Sequence, residues 1–325
     1  MREAPAFPGA GHGAVVTVGT FDGVHRGHAL VLERTAERAR RRGLASVAVT
    51  FDPHPLDVVN PSAAPPLLTL WEEKLEVLAQ TGLDYVAVVP FTAELATLSA
   101  EEFVTRVLIG SYDMRELLIG HDHGFGRGRA GDVESLRMLG RQRGFPVEVV
   151  PAVLGSDDAP ISSTGIRRAI AHGDFARAVD GLGRRFSVSG RVVAGEKRGR
   201  LLGFPTLNVE LGSRRKLVPP YGVYAVRVEG RAGEFGGMMN LGPRPTFGDE
   251  RISLEVHAFD AAGDWYGGRV RVEFVARLRD TMKFAGPEEL VSQLHRDAEH
   301  ARSALTALVP AAKLKGSGTN TSSLP

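Results

Sequence analysis

The 325-residue chain contains no cysteine, which excludes disulfides, thiolate metal sites and cysteine nucleophiles and is compatible with a reducing compartment. No apolar run approaches the length of a membrane span, and the opening MREAPAFPGAGHG lacks the charged start and apolar core of a secretory signal. These absences predict a cytoplasmic protein with no membrane partner. A charge excess of one sign is also missing: 40 Lys and Arg face 38 Asp and Glu, for a net charge of +2, so no global nucleic-acid footprint is indicated. The local run Arg38, Arg40, Arg41 and Arg42, followed by Gly43, reads as the solvated end of a helix, where positive charge complements the dipole and glycine supplies the stop.

What is present begins with VVTVGTFDGVHRGHALV at Val15–Val31. Val15, Val16 and Val18 predict a buried parallel strand, and Gly19, Gly23 and Gly27 permit a tight turn and close approach to a ligand. Ala29, Leu32, Ala36 and Ala39 then fall on one helical stripe, so His28 stands near a helix start, where free N–H groups favour anions. His25 and His28, three residues apart, can face one side and hold phosphate oxygens, or can be ordinary capping residues. The phrase His-x-Gly-His in this context resembles the signature of the nucleotidylyltransferase superfamily.

From Ala14 to about Leu182, strand patterns (Ala45–Phe51, Tyr85–Pro90, Glu116–Gly120, Pro146–Val150) alternate with helical ones (Trp71–Gln80, Ala100–Leu108, Asp132–Arg143, Thr164–His172). Such alternation predicts a Rossmann-like α/β domain with a parallel sheet and a ligand site at the strands' carboxyl ends. After Gly183 the runs Phe186–Val193, Gly222–Val228, Phe235–Asn240, Ile252–Ala258 and Val270–Leu278 predict an antiparallel sheet or small β-barrel. A closing helix opens at Gly286–Pro287, with Leu290, Leu294, Ala298, Ala301 and Leu305 as its apolar stripe. The expected domains are 14–183 and 184–309, with 310–325 a disordered, Gly- and Ser-rich tail.

Further motifs sit just after strands. TFDPHP at Thr50–Pro55 makes a stiff loop around His54; GHDHGFGRGRAGD at Gly120–Asp132 suits a flexible anion-binding loop; ISSTGIRRAI brings Ser162, Ser163 and Thr164 to a helix start, one turn before Arg167. In the second half, Gly190–Leu211 holds a glycine-rich basic turn (Gly195, Arg198, Gly199, Arg200) without the Gly-Lys-Ser/Thr ending of a Walker loop. Thr206 and Asn208 alternate on an extended segment and can present oxygens to magnesium, or merely cap a turn. Glu255, between Leu254 and Val256, either faces solvent or serves as a base. His25, His28, His54, His121 and His123 could suggest zinc, but no cysteine and no suitably spaced acidic residue accompany them. Magnesium carried in with a nucleotide fits better.

In this order, GTFDGVHRGH, TFDPHP, GHDHGFGRGRAGD, ISSTGIR, GRLLGFPTLNV, PPYGVYAV, NLGPRPTFGD and SLEVHAFD resemble the bifunctional bacterial riboflavin kinase/FAD synthetase family, from about Ala14 to Leu308. The resemblance implies an FMN adenylyltransferase module followed by a flavokinase on a six-stranded antiparallel barrel. ATP and Mg2+ would serve riboflavin, FMN and FAD chemistry. It further implies ATP or phosphate contacts at Gly19, Phe21, Asp22, Gly23, His25, His28, Ser162, Ser163, Thr164, Arg167, Gly195, Arg198, Gly199, Arg200 and Thr206. Flavin contacts would come from Pro53, His54, Pro55, Asp122, His123, Phe125 and Arg279. Magnesium would meet Thr206 and Asn208, and Glu255 would be the base on the ribityl hydroxyl. The sequence departs from the family at His123, where an aromatic residue is usual, which bears on flavin stacking. Rival readings are a paralogue with one active module or acting on a flavin analogue, a nucleotidylyltransferase for another phosphate acceptor, and a non-catalytic flavin or nucleotide sensor. A homo-oligomer stays open.

Overall fold

The computed structural model describes residues 11–122, 124, 126, 131–195, 198–244 and 251–307. The chain forms two compact units: the first runs to Gly183 and includes Gly212–Pro219, and the second comprises Arg184–Leu211 and the chain from Pro220 onward. The expected tail lies outside the described residues. The segment Gly212–Pro219, expected with the second domain, belongs to the first unit, where Leu67 and Lys216 form a β-bridge.

The first unit is a five-stranded parallel sheet of β1 (Ala14–Val18), β2 (Ala45–Asp52), β3 (Tyr85–Pro90), β4 (Met114–Gly120) and β5 (Val147–Val150), in the order β3-β2-β1-β4-β5. β1 is buried along its whole length because both faces are covered. Val16 and Val18 pack with Val47, Val49, Leu117 and Ile119 on one side, while Val15 meets Val31, Leu118 and Val150 on the other. The helices are α1 (Arg26–Arg42), α2 (Pro55–Val59), α3 (Trp71–Leu78), α4 (Ala93–Thr97), α5 (Ala100–Phe103), α6 (Gly110–Tyr112), α7 (Val133–Arg143), α8 (Ser163–Ala171) and α9 (Phe175–Leu182). Strand order reverses between β1 and β4, so the carboxyl ends of these two strands border a crevice, the place where such sheets bind ligands.

Two local expectations change. The helix expected over Ala100–Leu108 is one α-helical turn, α5, followed by a π-helical stretch at Val104–Ile109. On α1 the buried stripe is Val31, Leu32, Thr35, Ala36 and Ala39, and Ala29 is exposed. The arginine run is only partly solvated: Arg38 Nε donates to Glu116 at 2.7 Å and Arg42 pairs with the other oxygen of that fully buried carboxylate. A charge on β4 inside the sheet has no stable place without such partners, so those two arginines are fixed by it.

The second unit is a closed antiparallel barrel in the order β10-β7-β6-β11-β8-β9. Its strands are β6 (Ser187–Val193), β7 (Leu207–Leu211), β8 (Gly222–Gly230), β9 (Gly233–Arg244), β10 (Arg251–Ala258) and β11 (Arg269–Arg279). A short helix, α10 (Arg198–Leu201), lies between β6 and β7, and α11 (Pro287–Thr306) closes the unit. Leu294, Ala298, Ala301 and Leu305 of α11 pack on Phe204, Ala225, Met238 and Phe259, so the predicted apolar stripe covers part of the barrel's outer face.

Candidate functional site

The first unit holds a cleft of about 690 Å³ at the carboxyl ends of its strands. Gly19, Phe21, His25, His28, His54, Pro55, Asp122, Ser162, Ser163, Thr164 and Arg167 all line it, so motifs scattered from residue 19 to residue 167 meet in one place. The turn after β1 is conformationally demanding: φ is 45° at Phe21, 82° at Gly23 and 38° at Val24. A Cβ at Gly23 would lie 2.7 Å from Leu68 Cδ1, so glycine is required there on both counts.

This turn delivers His25 as the N-cap of α1. Its Nδ1 accepts the His28 N–H at 3.2 Å, which leaves the neutral ring's proton on Nε2. The two imidazoles stack with centroids 3.6 Å apart, and Phe21 meets His28 edge-on at 5.3 Å. The two imidazoles and the amide end of a seventeen-residue helix therefore line one crevice, and helix N-termini favour anions.

Across the cleft stands the start of α8. Ser162 caps it by accepting the Gly165 N–H at 3.1 Å, and Ser163 Oγ donates to the Asp22 carbonyl at 3.0 Å. Arg167, one turn on, donates to the Asp22 carboxylate at 2.6 Å and to the Pro66 carbonyl at 2.8 Å. Asp22 is not in the lining. Its carboxylate is 1% exposed and also accepts from Leu68 N (3.0 Å), Thr69 N (2.9 Å) and Thr69 Oγ1. A carboxylate so engaged repels phosphate rather than binding it; its place is behind Arg167, which it aims. Gly23 likewise serves the turn and not the lining.

The TFDPHP loop follows β2, with a cis peptide at Asp52–Pro53. His54 caps α2 by accepting the Leu56 N–H on Nδ1 at 3.2 Å. Burial, opposed in part by Asp22 and Asp57, pushes its pKa below the usual histidine value. It is thus a neutral Nε2–H donor at the cleft. Pro53 is outside the lining, and His123 and Phe125 lie outside the described residues. Two contributors escaped sequence reasoning. Thr17 lines the cleft from β1 with a buried hydroxyl, and Lys74 of α3 donates to the Thr20 carbonyl at 2.9 Å, its pKa lowered chiefly by burial.

In the second unit the relevant residues form a row on the barrel's outer face. Glu255 on β10 pairs with Asn208 on β7 and with Asn240 on β9, and residues paired directly across antiparallel strands share a face. Leu254 and Val256 are buried on the other face. Ser253 Oγ lies 3.2 Å from a Glu255 oxygen. Asn240 was not anticipated from the sequence. Gly195 is pressed against this row, where a Cβ would lie 2.1 Å from the Asn208 amide nitrogen, and Gly199 abuts the backbone before Thr206, where a Cβ would lie 2.3 Å from the Phe204 carbonyl oxygen. His257 Nδ1 meets the Pro205 carbonyl at 2.8 Å, fixing the residue before Thr206. Arg200 is exposed, and the side chain of Arg198 lies outside the described residues. Arg279 is committed elsewhere: its guanidinium grips the buried Asp297 of α11 at 2.6–3.1 Å and donates to the Asp280 carbonyl.

The FAD synthetase family model matches residues 8–165 and the riboflavin kinase model matches residues 182–305. The chain belongs to the bifunctional riboflavin kinase/FMN adenylyltransferase family. It is 40% identical over 291 residues to the family member of Escherichia coli K12 and 42% identical to that of Pseudomonas fluorescens, each covering 89% of this chain and 92% of the relative. The Bacillus subtilis member is 35% identical over 294 residues, 89% of this chain and 91% of that one. A solved structure described as a macrolide-efflux protein from Streptococcus pneumoniae is similar at a TM-score of 0.81 and 32% identity, covering 90% of this chain and 95% of that one. The family resemblance thus holds across both units, with the parallel sheet preceding the six-stranded barrel. Among the described residues no helix is long and apolar enough to cross a membrane.

Proposed function

We propose that the family's two activities are carried by two separate sets of residues, one in each unit. The chain is a riboflavin kinase and FMN adenylyltransferase that makes FMN and FAD. For the kinase step, Glu255 takes the proton of the riboflavin 5′-hydroxyl, whose oxygen forms a bond to the γ-phosphorus of ATP as the bond to ADP breaks. Asn208, Thr206 and the backbone at Gly195 and Gly199 hold the phosphates. Thr206 and Asn208 offer neutral oxygens where glycine leaves no Cβ, a donor set that suits Mg2+ sharing its shell with phosphate and water. When bound, the ion would offset phosphate charge.

In the cleft of the first unit, an FMN phosphate oxygen attacks the α-phosphorus of ATP in line and pyrophosphate leaves. His25 and His28 donate to the departing phosphates, the α8 start and Arg167 hold the others, and the His54–Pro55 loop and Asp122 face the flavin. Catalysis is positioning and charge stabilisation, with no covalent enzyme intermediate. The observation that carries this reading is the meeting of His25, His28, Ser162–Thr164 and Arg167 on one cleft. We also place the enzyme in the cytoplasm.

The test is chromatographic separation of flavins after incubating the protein with riboflavin, MgCl2 and excess ATP. FMN followed by FAD supports both assignments. FMN that accumulates without FAD removes the adenylyl-transfer role, with His123 the first residue to examine, and flavin retained without ATP consumption supports a sensor instead.

A further inference from the structure

Gly212–Pro219 is far in sequence from every motif of the adenylyl-transfer cleft, yet it is part of the first unit. Its backbone lies beside residue 67: Leu67 N–H donates to the Arg215 carbonyl at 2.7 Å and Leu217 N–H donates to the Leu67 carbonyl at 2.8 Å. Lys216 is 3% exposed, and its Nζ donates to the Leu68 carbonyl at 2.7 Å and to Glu73 at 2.5 Å, a residue itself 6% exposed. Arg215 donates to Asp57 of α2 at 2.5 Å and to the carbonyls of Ala64 and Pro65 at 3.1 and 2.9 Å. A buried ion pair such as Lys216–Glu73 costs much to desolvate and is weak evidence for stability alone; fixing register is the best-attested use of such pairs, and the half-exposed Arg215–Asp57 pair lies beside it.

The register they fix is that of residues 64–69, whose other side builds the cleft. Pro66 O and the amides of Leu68 and Thr69 hold Arg167 and Asp22 respectively, and Arg167 lines the cleft in that frame. Asp57, held by Arg215, lies on the helix that His54 caps. We infer that Lys216 and Arg215 are positioning residues for adenylyl transfer, Lys216 for the phosphate grip of Arg167 and Arg215 for the His54–Pro55 flavin loop. The inference rests on the adenylyl-transfer reading of the cleft.

The test measures FMN adenylylation and riboflavin phosphorylation in the full chain for the parent, Lys216→Met, Lys216→Arg, Arg215→Ala and the charge-neutral double variant Glu73→Gln/Lys216→Met. The double variant removes the buried ion without stranding its partner, so it keeps the test valid if Lys216→Met fails to fold. Expected are a 3- to 10-fold rise in KM for ATP, larger than that for FMN, in the Lys216→Met and double variants, with partial recovery in Lys216→Arg. Arg215→Ala should instead raise KM for FMN more than for ATP. Riboflavin phosphorylation stays within twofold of the parent in each. KM values for both substrates unchanged in the folded variants, or raised equally by every variant, overturn the inference. A parent that forms no FAD from FMN and ATP overturns the reading of the cleft, and the inference with it.

Discussion

Arg167 donates to Asp22 at 2.6 Å across 145 residues of sequence, and this pair joins the turn after β1 to the start of α8. Asp22 is 1% exposed and also accepts two backbone amides, so its ion pair fixes where a half-buried guanidinium stands in the cleft. Asp22→Asn should therefore lower stability by about 3 kcal/mol, the scale of breaking a buried pair. It should also raise KM for ATP in adenylyl transfer. Urea unfolding and initial rates check both; a variant as stable and as active as the parent removes Asp22 from this role.

His28→Ala should slow FAD formation from supplied FMN by about 10²–10³, by analogy with losing one preorganised donor to a developing charge. Riboflavin phosphorylation should be spared. Unchanged FAD yield in a timed assay removes His28 from the mechanism.

Glu255→Ala should cut riboflavin phosphorylation by about 10²–10⁴, the usual contribution of a positioned base, and leave FAD formation from supplied FMN near the parent value. Loss of both activities together contradicts separate residue sets. Gly195→Ala tests the same site by steric means: its Cβ would stand 2.1 Å from the Asn208 amide nitrogen, so Asn208 must move. Relieving that clash takes a shift of about 1 Å, which at a phosphate-positioning side chain can cost about 10²-fold in turnover. Full kinase activity in Gly195→Ala would place Asn208 outside the phosphate site.

The local motifs were legible because each is carried by neighbours in sequence. The valine run of β1, the His25 cap, the hydroxyls at the α8 start and the alternation that turns Glu255 away from Leu254 and Val256 all follow from strand and helix periods. The parallel sheet and the barrel followed from the change of pattern near Gly183. What was not legible is pairing over long separations. Asp22 reads as a phosphate-turn residue until Arg167 is seen beside it, and Arg279 as a flavin contact until Asp297 is found in its grip. Arg38 and Arg42 look solvated because Glu116, their buried partner, lies on another strand. The role of Lys216 is invisible for the same reason, since Glu73 is 143 residues away. The π-helical stretch after Phe103 has no local sequence signal that separates it from an α-helix.

His54 gives a pH signature. Burial holds its pKa below the ordinary value of about 6.5. The folded state therefore binds this proton more weakly than the unfolded chain. Above the unfolded value the group is neutral in both states and contributes nothing to the slope. Stability is lost as pH falls from there through the lower folded pKa. Protonation would also turn Nδ1 from acceptor to donor and break the Leu56 cap. An NMR titration of the ring should give a midpoint below 6.5, and KM for FMN should rise only on that acid limb. A midpoint at or above 6.5 contradicts this environment.

If riboflavin phosphorylation and FMN adenylylation use different residues in different units, two variants impaired in different steps complement each other in one mixture. Glu255→Ala and His28→Ala are each incubated alone, and then together, with riboflavin, MgCl2 and ATP, and FAD is quantified by chromatography. Each alone should give little FAD, the first for want of FMN and the second with FMN accumulating. Together they should restore FAD, because FMN released by one is adenylylated by the other. A mixture that forms no more FAD than the sum of its components contradicts separate sites in the two units.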